Sequence, residues 1–219
     1  MDKNDILELK EYILKKIKYF CEYYKNENIY EPNYDNWNAR DTIGHINGWL
    51  KYSEDLVERI KLNKSIENVS HNEIEIVNKN IYEQYKNKSF ETTLNEFKLL
   101  LVKYNDILDL YNNDDLKSNN FPTGFSFEMW KYMVLDLGTH PIMHLLYYYL
   151  KNNDFNEFVN EIEDSKKYFF AFSDNKYSEY NFSNFFKSKE EKCEKLNNLM
   201  ENYKNNEIIK EIIKININE

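Results

Sequence analysis

The sequence predicts an all-α protein, with a bundle of four long helices followed by a helical C-terminal extension. Two observations carry this prediction. Apolar residues recur at steps of three and four along most of the chain, which is the spacing of one face of an α-helix. Only four glycines and three prolines interrupt the 219 residues, and no segment convincingly resembles a strand, so a turn-rich β fold is disfavoured.

The first two helices are predicted from apolar stripes on either side of a polar loop that contains Pro32. The first stripe covers residues 6–24, and the second helix is expected over about residues 37–61. In the second helix His45 lies on a stripe next to the most apolar one. We therefore expect both helices to bury one face, with His45 near the core.

A short helix and two further long helices follow. Ser70 and Glu73 have the spacing of a capping box, which predicts the start of the short helix. Ser89 is the expected N-cap of a third long helix over residues 90–108. The fourth long helix is predicted from an apolar stripe over residues 129–148.

The fourth long helix contains a proline between two histidines. His140 and His144 stand four residues apart and therefore share a helix face. Pro141 removes a backbone donor and clashes with the preceding turn, so with Gly138 nearby we predict a kink or break here that leaves the Leu137 carbonyl without its usual partner. Two interpretations stay open, since the kink either aims His140 or merely accommodates packing.

The chain beyond residue 152 has a weaker helical pattern. A helix is expected around residues 155–166, then an irregular aromatic stretch over residues 168–186, then a helix opened by a capping box that begins at Ser188. We therefore predict a bundle over residues 1–152 and a helical extension over residues 153–219 that packs on it. In an alternative account the Tyr- and Phe-rich stretch forms a partner surface or a homodimer interface.

The charge and composition of the chain indicate which partners and which cellular compartment to expect. The net charge is −9 and the lysines are interleaved with acids, which argues against nucleic acid as a partner. No apolar run approaches the roughly 18 residues of a membrane span, and the N-terminus lacks the features of a signal peptide, so we expect a cytoplasmic protein without a membrane partner. Cys21 and Cys193 do not form a disulfide framework pattern.

Three of the four histidines can converge in a helical bundle. His140 and His144 share one face, and His45 comes from a different helix, so the three imidazoles can meet at a single ion. For any one of them, a core histidine with a satisfied hydrogen bond is the simpler account. Together, in a chain this poor in histidine, they favour a metal centre formed by His45, His140 and His144. His71, beside a helix start, is expected to be exposed and uninvolved.

Such a centre would leave a coordination position open, and open sites do chemistry. Imidazole ligands suit zinc, nickel or iron. The pair does not resemble the zinc-protease motif, because that motif needs a glutamate where this chain has Pro141.

Three neighbours of the histidines are weak candidates for a catalytic role. Asp41 and Asp136 each lie four residues before a histidine, and Tyr148 lies four residues beyond the pair. Metal-bound imidazoles commonly donate their second N–H to a carboxylate, and a free carboxylate can act as a general base. Against this, Asp41 also suits the first turn of a helix, and aromatic residues are common in cores. The catalytic residue stays unidentified.

Two motifs resemble the DinB/YfiT superfamily of four-helix bundles. The first is the run that joins Trp37, Asp41 and His45 at intervals of four residues, and the second is the pair formed by His140 and His144. A third segment, residues 78–90, is similar to the ClbS/DfsB branch of that superfamily. The resemblance covers about residues 4–152.

The resemblance implies a DinB-like four-helix bundle in which His45, His140 and His144 bind a divalent metal. Known activities of the superfamily include metal-dependent transfer of low-molecular-weight thiols, a thiol-dependent isomerisation and, in the ClbS branch, a hydrolysis. The expected function is therefore that of a metal-dependent hydrolase or thiol transferase acting on a small electrophilic molecule, with a low-molecular-weight thiol as a further cofactor. Two alternatives stay open: a metal-free bundle that binds or sequesters a small molecule, and an interaction protein.

Overall fold

The predicted all-α class is confirmed. The computed structural model describes residues 1–25, 37–65, 73–119, 128–172, 177, 180–182, 186 and 188–217, and none of these residues lies in a β-strand element. The predicted features at Pro32, Ser70 and His71 lie outside the described residues. The helices are α1 (Lys3–Tyr24), α2 (Ala39–Lys61), α3 (Ile74–Tyr85), α4 (Phe90–Asp109), α5 (Asn113–Lys117), α6 (Met129–Val134), α7 (His140–Lys151), α8 (Phe155–Phe172), α9 (Lys189–Asn202) and α10 (Glu207–Ile217).

Two of the predicted N-caps are confirmed. The Ser89 hydroxyl accepts a hydrogen bond from the Thr92 N–H at 3.1 Å and begins α4. The Ser188 hydroxyl accepts one from the Glu191 N–H at 3.1 Å and begins α9. In each case the side chain satisfies a backbone donor that has no partner within its own helix.

The chain divides into two compact units. The first is Met1–Glu27 with Ala39–Pro141, and the second is Asn28–Asn38 with Ile142–Glu219. The division therefore falls inside α7, directly after Pro141. The division predicted from the sequence, at residue 152, stays a prediction.

In the first unit, α2 packs against α1, α3, α4 and α6. Glycine makes the approach of α3 possible, because a Cβ atom at Gly44 would lie 2.6 Å from the Tyr85 Cβ. A buried hydrogen bond joins α4 to α6, where the Tyr104 hydroxyl donates to the Met133 carbonyl at 3.1 Å. The fully buried apolar side chains of this unit include Ile6, Leu9, Ile13, Ile17, Phe20, Ile43, Ile46, Leu50, Val57, Phe97, Leu108 and Met133.

The fourth long helix carries the predicted irregularity in the form of a π-helical turn. Leu135–Thr139 forms this turn between α6 and α7, and the His140 N–H donates to the Leu135 carbonyl, five residues back, instead of four. Pro141 follows at once and has no N–H to donate to Leu137, which disfavours a regular α-helix at this point. Gly138 lies against α1, where an added Cβ would be 2.6 Å from the Leu9 Cδ2.

In the second unit, α8 is longer than expected. Residues 168–172 belong to α8, so the prediction of an irregular stretch is wrong for these residues. Asn216 of α10 binds the backbone of residues 180–182, because its Nδ2 donates to the Tyr180 carbonyl at 2.7 Å while its Oδ1 accepts from the Phe182 N–H at 2.7 Å. Among the described residues, no helix combines the length and apolar character of a membrane span.

Candidate metal centre

His45 is positioned by the buried face of α2. Its immediate neighbours Gly44 and Ile46 are buried, and His45 itself is only 2% exposed. The predicted inward direction of His45 is therefore confirmed. A buried imidazole needs polar partners, because an unsatisfied ring nitrogen in the core costs about 1–3 kcal/mol.

His140 and His144 are positioned by α7. His140 is the first residue of this helix and follows the π-helical turn directly, and His144 lies one turn further along the same uninterrupted helix. His144 is 2% exposed, whereas the His140 side chain is 22% exposed. The most accessible of the three rings is thus the one beside the π-helical turn.

The three predicted ligands lie close together. The Nε2 atoms of His45 and His140 are 3.1 Å apart, and the rings meet edge to face with an interplanar angle of 82°. One ligand nitrogen from each of His45, His140 and His144 can be chosen so that all three lie within 4.8 Å of one another. The structure therefore brings together all three histidines that the sequence proposed.

The distances between these nitrogens can be compared with the distances between ligand nitrogens around a bound metal ion. Zinc–nitrogen bonds of about 2.0–2.1 Å place two ligand nitrogens roughly 2.9 Å apart in an octahedral arrangement and roughly 3.4 Å apart in a tetrahedral one. The 3.1 Å separation of the His45 and His140 nitrogens lies between these values. A separation near the 4.8 Å limit is too long by roughly 1.4 Å for tetrahedral coordination. Three imidazole nitrogens are donors that zinc accepts, so the donor set itself fits such an ion.

The three weak catalytic candidates have different surroundings. Asp136 lies in the π-helical turn, and its Oδ1 is 3.2 Å from the His140 Nδ1. Asp41 is buried and pairs with Arg40, whose Nη2 is 2.7 Å from the Asp41 Oδ1. Tyr148 is fully buried on α7. Among the described residues, the metal-binding group contains neither aspartate, and Asp136 has a direct contact with one of its three histidines.

An aromatic residue of α2 lies beside His45. The Trp49 and His45 rings are 6.4 Å apart between centroids, at an interplanar angle of 65°. The Trp49 Nε1–H donates to the Asn78 Oδ1 at 2.8 Å, which fixes the indole orientation. Asn78 could not be recognised from the sequence, because its partner belongs to another helix.

Glu54 is a buried charged residue that the sequence analysis missed. It is 0% exposed, and neither carboxylate oxygen accepts a hydrogen bond from a described residue. Burial raises the pKa of Glu54 to about 7, and nearby Lys103, with its Nζ at 3.6 Å, partly opposes that rise. The sequence held a signal, since Leu50, Glu54 and Val57 continue one stripe at steps of four and three.

Comparisons with protein-family models, with curated proteins and with solved structures found no match. The assignment of this centre therefore depends on the geometry of its own side chains. That geometry shows three histidines, close together and mostly buried, that could hold a metal ion.

Proposed function

We propose that the protein is a metal-dependent enzyme with a DinB-like four-helix bundle, acting on a small electrophilic molecule as a hydrolase or as a low-molecular-weight-thiol transferase. The observation that supports the metal most directly is the 3.1 Å approach of His45 and His140 with His144 one turn away. The motif resemblance over about residues 4–152 supports the bundle and the class of reaction.

Three neutral imidazoles leave at least one coordination position for substrate. A divalent ion bound there would act as a Lewis acid and would favour a nucleophile at neutral pH. The chain contributes shielding, because His45 and His144 are almost fully buried. His140 is 22% exposed on its side chain, so we expect a small substrate to approach past this ring.

The first experiment measures metal content. The full chain, purified without a histidine tag, is dialysed against zinc, nickel or ferrous iron, and the bound metal is measured by plasma mass spectrometry. We expect about one equivalent of one of these metals for the wild-type chain. His45→Ala and His140→Ala each remove a ligand and should lose most of it. His71→Ala is the matched control, since it deletes the remaining histidine. Metal content that is unchanged in His140→Ala would contradict the proposal.

The second experiment addresses the reaction class. The metal-loaded protein is incubated with small electrophiles, with and without low-molecular-weight thiols, and product formation is followed by mass spectrometry. A thiol adduct would support a transferase, and a water adduct formed without thiol would support a hydrolase. Turnover that persists in His140→Ala would show that the centre is not the active site.

A metal-free function in small-molecule binding is the second candidate. Its binding site would be an open cleft of about 410 Å³ in the second unit, a volume within the usual size range of ligand sites. The lining residues are Asn153, Phe155, Asn156, Asn202 and Tyr203. For a metal-free binder, a chelator should leave the melting temperature unchanged. A metal-dependent fold should instead lose stability, because an ion that binds only the folded chain stabilises it.

A further inference from the structure

We propose that Asp136 is a positioning residue of the histidine centre, accepting the Nδ1–H of His140 and so holding the Nε2 lone pair of that ring towards His45. The inference rests on the proposed metal-binding function and adds to it a residue that binds no metal itself. It starts from the 3.2 Å contact between the Asp136 Oδ1 and the His140 Nδ1.

The protonation pattern follows from what each group can donate. An ionised carboxylate only accepts hydrogen bonds, so a neutral His140 that contacts Asp136 must carry its proton on Nδ1. Its Nε2 then has a lone pair, and this is the atom that lies 3.1 Å from the His45 Nε2. The contact therefore selects the His140 tautomer that can bind a metal through the nitrogen nearest His45.

Local backbone geometry supports the same role. Asp136 is the second residue of the π-helical turn, and His140 is the first residue after it. The wider turn shifts the side chains that follow it relative to those of α6. Asp136 and His140 nevertheless remain in contact across it, with side chains 18% and 22% exposed, so the pair is partly shielded from water. π-Helical turns often occur at functional sites, and this one carries the carboxylate that orients a candidate ligand.

A different role for Asp136 makes a different prediction. If the contact contributes only to local packing, removing the carboxylate leaves the tautomer of the His140 ring unchanged. Positioning requires a neutral ring with its proton on Nδ1. The two roles are distinguished by the protonation of the two ring nitrogens, which can be observed without any metal.

The first test measures metal affinity. Zinc binding to the tag-free full chain is compared for the wild type, Asp136→Ala and Asp136→Asn by competition with a chromophoric chelator. Loss of a carboxylate partner of a metal-bound histidine typically weakens affinity about 10- to 100-fold, and we expect this for Asp136→Ala. Asp136→Asn keeps an acceptor oxygen and should recover part of the loss. Asp106→Ala, at an exposed position of α4, is the control and should bind zinc as the wild type does.

The second test measures the tautomer in metal-free protein, by long-range proton–nitrogen NMR spectra of nitrogen-labelled histidine near pH 8. We expect the neutral Nδ1–H form of His140 in the wild type and in Asp136→Asn, and a shift towards the Nε2–H form in Asp136→Ala. A wild type that binds zinc while Asp136→Ala keeps both its affinity and its tautomer would overturn the role of Asp136 alone. A wild type that binds no metal would overturn the proposed function, and the role of Asp136 in the centre with it.

Discussion

At the scale of single residues, Glu54 is a carboxylate whose surroundings oppose its charge. It lies between the apolar residues Leu50 and Val57 on the buried face of α2. A carboxylate in such a position loses its hydration, and the Lys103 Nζ at 3.6 Å is beyond hydrogen-bond distance. The protein accommodates Glu54 more easily when it is neutral.

This environment predicts that stability depends on pH through Glu54. Its pKa is raised from 4.5 to about 7, with burial as the main cause. Below pH 4.5 the group is protonated in both the folded and the unfolded chain, so its contribution to stability is fully present. Between pH 4.5 and about 7 the unfolded chain ionises first, and that contribution is lost. The full loss is about 3 kcal/mol.

The measurement is the free energy of unfolding in urea between pH 4.5 and 8, for the wild type and for Glu54→Gln. The glutamine is neutral throughout, so its stability relative to the wild type should improve by about 3 kcal/mol as the pH rises. Glu91→Gln, at an exposed position of α4, is the matched control and should follow the wild type. A constant difference between Glu54→Gln and the wild type would show that Glu54 is ionised in the folded protein across this range.

The three histidines of the candidate metal centre could be identified from the sequence, whereas the roles of Glu54 and Asn78 could not. His140 and His144 stand four residues apart on one helix, and that spacing alone places them on one face. To place His45 near this pair, it was enough to assume that two amphipathic helices share a core. By contrast, the contact between Trp49 and Asn78 joins two helices, and no periodicity within either helix indicates which pairs will meet.

At the scale of helices, the approach of α3 to α2 depends on glycine. A Cβ atom at Gly44 would lie 2.6 Å from the Tyr85 Cβ and 2.7 Å from its Cγ. The Tyr85 Cβ is bonded directly to the α3 backbone and cannot rotate away. Tyr85 is also held in place, since it is 4% exposed and the Lys88 Nζ lies 3.9 Å from the centre of its ring.

Gly44→Ala is therefore expected to destabilise the protein. In an open helix position the change from glycine to alanine would gain about 1 kcal/mol, but overpacking a tight contact costs about 1–3 kcal/mol. We expect a net loss of stability and a lower urea midpoint, measured by circular dichroism. Lys51→Ala, at an exposed position of the same helix, controls for the gain in helix propensity. A Gly44→Ala variant more stable than the wild type would show that α2 and α3 are less tightly packed than described.

The presence of the helices could be predicted from the sequence, whereas their regularity and their exact ends could be predicted less well. Pro141 and Gly138 predicted a kink or break in the fourth long helix. Its form, a π-helical turn, depends on the hydrogen bond from the His140 N–H to the Leu135 carbonyl, and the sequence pattern does not specify that bond. The end of α8 was missed for a different reason. Its buried stripe includes the polar Ser165, which interrupts the apolar pattern before Phe169 and makes the helix look shorter than it is.

At the scale of the whole molecule, the division inside α7 indicates which truncations of the chain would separate residues of one unit. The second unit begins at Ile142, so most of α7 belongs with the C-terminal helices by its contacts. Its residues from Leu145 to Leu150 are all at most 1% exposed, so this helix is buried on every side. The Tyr147 ring packs edge to face on Phe186, with centroids 5.6 Å apart. Phe186 lies beyond residue 152, where the sequence analysis predicted the end of the bundle.

A chain cut after residue 152 should therefore fail to form a well-packed monomer. The cut deletes Phe186 and leaves an apolar helix without the partners of its own unit, and each large apolar side chain returned to water costs about 1.5–3 kcal/mol. We expect binding of a hydrophobic dye, loss of near-ultraviolet circular dichroism and aggregation in size-exclusion chromatography. Phe186→Ala in the full chain tests the same contact more gently and should cost about 3 kcal/mol while keeping the protein monomeric. A soluble, folded, monomeric 1–152 fragment would contradict this account, because it would show that α7 needs nothing from the C-terminal residues. In that case the aromatic C-terminal region would better suit the alternative role of a surface for a partner or a second copy of the chain.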